Sequence, residues 1–176
     1  MRISETSLGG LCLVEADEVQ DERGGFVRTF CAASFIENGL ELPVCQFSIS
    51  KNTRRYTLRG MHFQASPAAE IKLVRCISGA IFDVAIDLRE DSPTFRQWFG
   101  VELNEENNKA LYIPEGFAHG FLTLRDHSHV AYQMNVPYQP EFARAVRWND
   151  RAFKVDWPFK PEVMSSKDQL INDFTW

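Results

Sequence analysis

The stretch Arg55-Tyr56-Thr57-Leu58-Arg59-Gly60-Met61-His62-Phe63-Gln64, with its sequel Ile71-Lys72-Leu73-Val74-Arg75-Cys76, decides how the chain is read. Tyr, Thr, Leu, Met and Phe favour a pleated, half-buried strand over a helix. Alternate strand residues share a face, so Tyr56, Leu58, Gly60, His62 and Gln64 are expected to point together toward the core. A lone inward histidine is most often a hydrogen-bonded core residue. Its company raises the functional reading: Arg59, Lys72 and Arg75 are cations inside otherwise apolar runs. Charges are seldom buried unless paired or used. Strict alternation sends Arg59 and His62 to opposite faces, and Gly60 between them is suited to a bulge that re-aims one of them.

Outward from that stretch, short apolar runs recur at 11–15, 25–30, 44–50, 57–64, 71–77, 80–88, 97–103, 110–113, 120–124, 129–136 and 145–148. Turn-like residues separate them, among them Ser78-Gly79 and Asp91-Ser92-Pro93. The clearest alternation puts Phe82, Val84, Ile86 and Leu88 on one side and Ile81, Asp83, Ala85 and Asp87 on the other. Many short strands at this spacing predict an antiparallel sandwich or barrel. Helical pattern is confined to 32–38 and a turn after Ser165. No strand runs into a glycine-rich loop and helix, so neither a Rossmann nor a P-loop nucleotide site is expected. The 176 residues hold no repeat, low-complexity tract or linker and are read as one all-β domain, 1–176.

The net charge of −5 argues against a nucleic-acid partner, which would need a basic field. A local arginine cluster can still bind a small anion. No run is long or apolar enough to cross a bilayer, and the first residues carry no signal-peptide pattern, so no membrane partner is expected. Cys12, Cys31, Cys45 and Cys76 lack CxxC spacing and read as free thiols of a reducing, cytoplasmic compartment.

The second informative stretch is Ile113-Pro114-Glu115-Gly116-Phe117-Ala118-His119-Gly120-Phe121. It resembles the second motif of cupins, small jelly-roll β-barrels that often hold iron or manganese through several histidines and a carboxylate. The first cupin motif would supply His-x-His, but the chain has His62-Phe63-Gln64. A transition-metal site needs a full ligand set in one cavity. The set is short, so no metal and no other cofactor is expected. What remains for a barrel mouth is His62, His119, Lys72, Asp83, Tyr132 and Arg59. Histidine serves as a base near neutral pH, tyrosine as a proton donor, and lysine can hold a developing enolate oxygen. Arginine forks match diphosphate oxygens. Together these point to proton transfer beside a carbonyl on a phosphate-bearing substrate.

The runs LRGMHFQ, KLVRC, IFDVAIDLR, SPTF, QWFGVEL, YIPEGFAHGF and WND resemble those of the dTDP-4-dehydrorhamnose 3,5-epimerase family, over roughly residues 21–168. The resemblance implies a homodimeric, metal-free, cupin-type jelly-roll barrel with a few short helices. It also implies epimerisation of a nucleoside-diphosphate 4-keto-6-deoxy sugar, inverting C5 and C3, in deoxysugar and polysaccharide biosynthesis. By resemblance His62 is the base, Asp168 the carboxylate that orients it, Lys72 the cation at O4 and Tyr132 the acid on the opposite face. Ser165-x-x-Asp168 also reads as a helix cap. Arg23, Arg59 and His119 match substrate-binding positions, and Asp83 matches a carboxylate of the site. Lys167 adjoins Asp168 and joins the substrate-binding set.

The departures fall on nucleotide recognition. Arg28 stands where the family has a glutamate, and Gln46-Phe47-Ser48 replaces its QDN segment. Pro137 replaces a stacking aromatic, with Tyr138 beside it as a substitute, and Ala143 replaces a second glutamate. An acceptor turned into a cation cannot make the same hydrogen bond to a base. The departures therefore point to a carrier that need not be dTDP, with GDP, CDP and UDP the candidates beside it. The strand at 11–15 is a candidate for exchange between subunits. The alternatives are a ketoisomerase or single-centre epimerase on the same barrel, and a non-catalytic sugar-nucleotide-binding cupin.

Overall fold

The computed structural model describes residues 1–175. In chain order its elements are β1 (Arg2–Glu5), β2 (Cys12–Glu15), β3 (Glu18–Asp21), β4 (Gly24–Val27), α1 (Ala32–Glu37), β5 (Gln46–Lys51), β6 (Leu58–Gln64) and β7 (Lys72–Ser78). They continue with β8 (Ala80–Asp87), β9 (Trp98–Asn104), β10 (Lys109–Ile113), β11 (Phe117–Thr123), β12 (His129–Met134), β13 (Ala143–Ala145) and α2 (Ser166–Gln169). Two antiparallel sheets carry the fold, one ordered β1-β2-β10-β7-β12-β5 and the other β13-β6-β11-β8-β9. β3 and β4 pair only with each other, as a separate hairpin. This is the all-β packing of antiparallel sheets that the strand spacing predicts, in the jelly-roll form that the resemblance implies.

Alternation explains how the two sheets pack. On β8, Ile81 and Ala85 join Val74, Cys76, Leu111, Phe117, Phe121 and Val130 in the cluster between the sheets. Val84 and Ile86 face outward, where Met61, Ala118, Val146 and Phe153 cover them. On the other sheet, Ile71 and Leu73 face outward with Phe35 of α1 and Tyr112. Lys72, two residues before inward Val74, is thereby turned to the inside. Arg75 falls on the outer face, where its guanidinium donates to the Thr29 carbonyl at 3.3 Å. Its place in an apolar run has a structural cause and lies outside the cavity described below.

Two strands go beyond the sequence expectations. β1 and β3 are strands that the apolar runs do not reveal, because every residue of β3 is exposed and β1 is nearly so. The early strand β2 is hydrogen-bonded on both edges, to β1 and to β10 of its own chain.

The SPTF motif is structural. Asp87, fully buried at the end of β8, accepts from Arg89 Nη2 at 2.7 Å, Ser92 Oγ at 2.6 Å and Thr94 Oγ1 at 2.7 Å. Burial raises its pKa, but these hydrogen bonds, with one more from the Arg89 backbone N–H, outweigh that and bring it down to about 2. The folded state therefore favours the ionised form. The contribution is complete above the unfolded value of about 3.9, and is lost as pH falls toward the folded one. Asp87→Asn should cost about 2 kcal/mol at pH 7 in denaturant unfolding, with the difference from wild type closing as pH drops from about 4 to about 2. A loss that does not change with pH would contradict this account.

Candidate active site

A cavity of about 730 Å³ opens between the two sheets. From one sheet it is lined by Gln46, Ser48 and Ser50 of β5, Tyr132 of β12 and Lys72 of β7. The other sheet contributes Arg59, His62 and Gln64 of β6, His119 of β11 and Arg144 of β13. The segment 163–168 closes one side with Ser165, Lys167 and Asp168. β5 supplies alternate residues because its odd-numbered side chains, Phe47 and Ile49, are turned out to solvent.

Arg59 and His62 share this cavity because β6 carries an extra residue. His119 pairs with His62, yet Phe121 pairs with Arg59, so two steps on β11 oppose three on β6. The irregularity sits at Gly60, which has φ +129°, and a Cβ there would stand 2.5 Å from the Gly120 backbone. Only glycines allow the strands to touch in this way. Met61 is turned into the outer cluster, while His62 returns to the cavity.

His62 Nε2 lies 2.7 Å from Asp168 Oδ1. Asp168 is buried, with its backbone N–H donating to Ser165 Oγ at 3.1 Å. Asp168 thus makes both contacts at once, its backbone forming the helix cap and its carboxylate reaching the histidine. Burial raises the Asp168 pKa. Hydrogen bonds from His62, Ser165 and the Gly60 backbone, together with the His62 charge, outweigh burial and hold it below the ordinary carboxylate range. An ionised Asp168 fixes the imidazole and stabilises it once protonated.

On the facing sheet, Tyr132 sits edge-on to His119, with ring centroids 5.9 Å apart. Burial first, and then the charge of Asp83, raise its phenol pKa far above the ordinary value, against an opposing effect of Arg59. Tyr132 thus holds its proton until a strong acceptor forms. His119 is buried and bonded through Nε2 to Asp83 Oδ1 at 2.8 Å, while Asp83 Oδ2 is buried without a partner. Lys72 Nζ donates to the His62 carbonyl at 3.3 Å, which puts an ammonium beside the His62 backbone. Among the described residues no three His, Cys, Asp or Glu side chains converge as a metal site would require.

A model of the dTDP-4-dehydrorhamnose 3,5-epimerase family matches residues 5–175. The chain belongs to this family. The dTDP-4-dehydrorhamnose 3,5-epimerase of Methanothermobacter thermautotrophicus is 44% identical, over 96% of this chain and 91% of its own. The crystal structure of the Bacillus anthracis dTDP-4-dehydrorhamnose 3,5-epimerase, with TDP and pyrophosphate bound, superposes with a TM-score of 0.95 at 36% identity, covering 98% and 99% of the two chains. A Legionella pneumophila epimerase of this kind, in complex with dTDP-4-keto-L-rhamnose, gives 0.91 at 37% identity, covering 97% and 90%.

Within this epimerase-family cavity, His62, Tyr132, Lys72 and Asp168 come together, as do Gln46, Ser48, Arg59, His119, Tyr138 and Lys167. Asp83 lies behind His119. Arg23 and Arg28 do not join them. Arg23 is exposed at the β3–β4 turn, bonded to Asp21, and Arg28 is exposed just beyond β4. Sequence reading missed three further residues. Asn52 Oδ1 accepts from Arg59 Nε at 2.7 Å and fixes that guanidinium. Arg144 lines the mouth, held by the carbonyls of Glu141 and Ala143. Glu70 lies in the cavity wall against Lys72. Strand alternation could have revealed Glu70, since it stands two residues before Lys72 on extended chain. Neither Asn52 nor Arg144 had a local signal.

Proposed function

We propose that the chain epimerises a nucleoside-diphosphate 4-keto-6-deoxyhexose at C5 and C3. One observation carries this reading: a carboxylate-held histidine and a proton-retaining tyrosine stand on facing sheets of one cavity that also holds an ammonium. His62 takes the proton from a carbon beside the C4 ketone. The electron pair moves into the C–C bond and the carbonyl π bond opens onto O4, where Lys72 stabilises the enolate by a charge-assisted hydrogen bond. Tyr132 returns a proton to the same carbon from the opposite face, which inverts it, and solvent restores both residues. A ketoisomerase would not need donors on both walls.

Arg59, Arg144 and Lys167 provide cationic donors for the diphosphate at the mouth. Tyr138, 57% exposed, has its backbone N–H bonded to Gln46 Oε1 at 3.1 Å, which sets its ring at the cavity rim in place of the family's aromatic. That ring, and the thymidine nucleotides named for the relatives, favour dTDP as carrier. The four cysteines are free thiols, which fits a cytoplasmic setting, and no helix of the described chain is long and apolar enough to cross a membrane.

We also propose a homodimer. The hairpin β3–β4 leaves Val19 69% and Phe26 71% exposed, and its Arg23 belongs by resemblance to the substrate set yet stands outside its own cavity. A second copy that covers the hairpin would account for both. Equilibrium sedimentation should give twice the 20.2 kDa chain mass, and a monomer would oppose this. For the activity, solvent deuterium should enter C5 and C3 of the 4-keto sugar, fastest with the dTDP-linked compound among the dTDP, GDP, CDP and UDP forms. His62→Ala should slow both exchanges by about 10²–10⁴-fold. Undiminished exchange in that variant would overturn the assignment.

A further inference from the structure

The cavity wall holds a carboxylate with no task in the mechanism above. Glu70 and Lys72 form an ion pair, Oε1 to Nζ 2.7 Å, with side chains only 11% and 10% exposed. The segment that carries them is fixed, because the Ile71 N–H donates to Asn135 Oδ1 at 2.7 Å. Ile71 packs outward, so Glu70 and Lys72 turn inward together. Among the described residues the cavity is lined by one other carboxylate, Asp168, and that one is committed to His62. A largely buried charge that faces a substrate cavity is retained at a cost unless it is used.

Resting on the reading of Lys72 as the cation at O4, we propose that Glu70 is a specificity residue for the hydroxyl on C3. An ammonium and a carboxylate side by side present a donor next to an acceptor. The complementary ligand presents an acceptor next to a donor, and an α-hydroxy ketone does so, with its C4 carbonyl beside its C3 hydroxyl. Lys72 donates to O4 while Glu70 accepts from the C3 hydroxyl. On the other side of the ketone, C5 carries a methyl group and offers no such donor. The pair therefore also fixes which way round the sugar ring lies over His62 and Tyr132.

The test compares the dTDP-4-keto-6-deoxyhexose with its 3-deoxy analogue, read as kcat/KM for deuterium entry at C5, in wild type and Glu70→Ala. Wild type should prefer the 3-hydroxy compound, and Glu70→Ala should lose about 10–100-fold on that compound while losing far less on the analogue. Glu70→Gln, which keeps the side-chain volume, should show the same selective loss to a smaller degree. It supplies the comparison if the alanine variant fails to fold. Equal losses on the two substrates would mean that Glu70 serves Lys72 alone, and would overturn this inference while leaving the epimerase reading intact. Absence of exchange in wild type with both compounds would overturn the two together.

Discussion

The approach of Gly60 to Gly120 is the contact on which the site depends. Two strands that met with ordinary side chains would keep regular register, and Arg59 and His62 would then face opposite sides of the sheet. Because neither glycine has a Cβ, β6 can take in one extra residue against β11. That residue restores both side chains to one wall and sends Met61 into the packing behind it. The same segment directs the Gly60 N–H at Asp168. His62, Asp168 and Arg59 are thus placed by one local feature.

The second organising feature is a division of charges among paired groups. Burying an ion alone is prohibitive, and a buried pair rarely adds stability over an apolar replacement. The chain nonetheless keeps Asp168 with His62, Asp83 with His119 and Glu70 with Lys72 around one cavity. The pairs differ in access. The His62 side chain is 45% exposed and able to meet a substrate, whereas His119 is only 4% exposed and sits against Tyr132. Asp83, behind them, adds to the burial that keeps the Tyr132 proton in place. Surroundings rather than residue type leave one histidine open to the cavity and pack the other within its wall.

Much of this was legible in the sequence, and the reasons differ by element. β7 and β8 announce themselves as apolar runs buried on both faces, and which side chains share a face on them follows from a period of two. The need for an irregularity at Gly60 followed from two residues that had to share a face and could not on a regular strand. By contrast, β1 and β3 are almost wholly exposed and carry no burial signal. Asp87 and the SPTF motif looked like family signatures and turned out to be a knot of hydrogen bonds in a turn. Asn52 reaches Arg59 across seven residues of loop and strand, a contact no local pattern encodes. Arg23 and Arg28 were brought in by resemblance, and a single chain leaves both outside the cavity.

The central claim is that His62 and Tyr132 work from opposite faces of the same carbon. A Tyr132→Phe protein in D₂O tests it most directly, with configuration and deuterium content at C5 measured together. The account predicts that deuterium enters C5 with its configuration kept, because His62 still removes and returns the proton from its own side. Inverted product formed at the wild-type rate would contradict it.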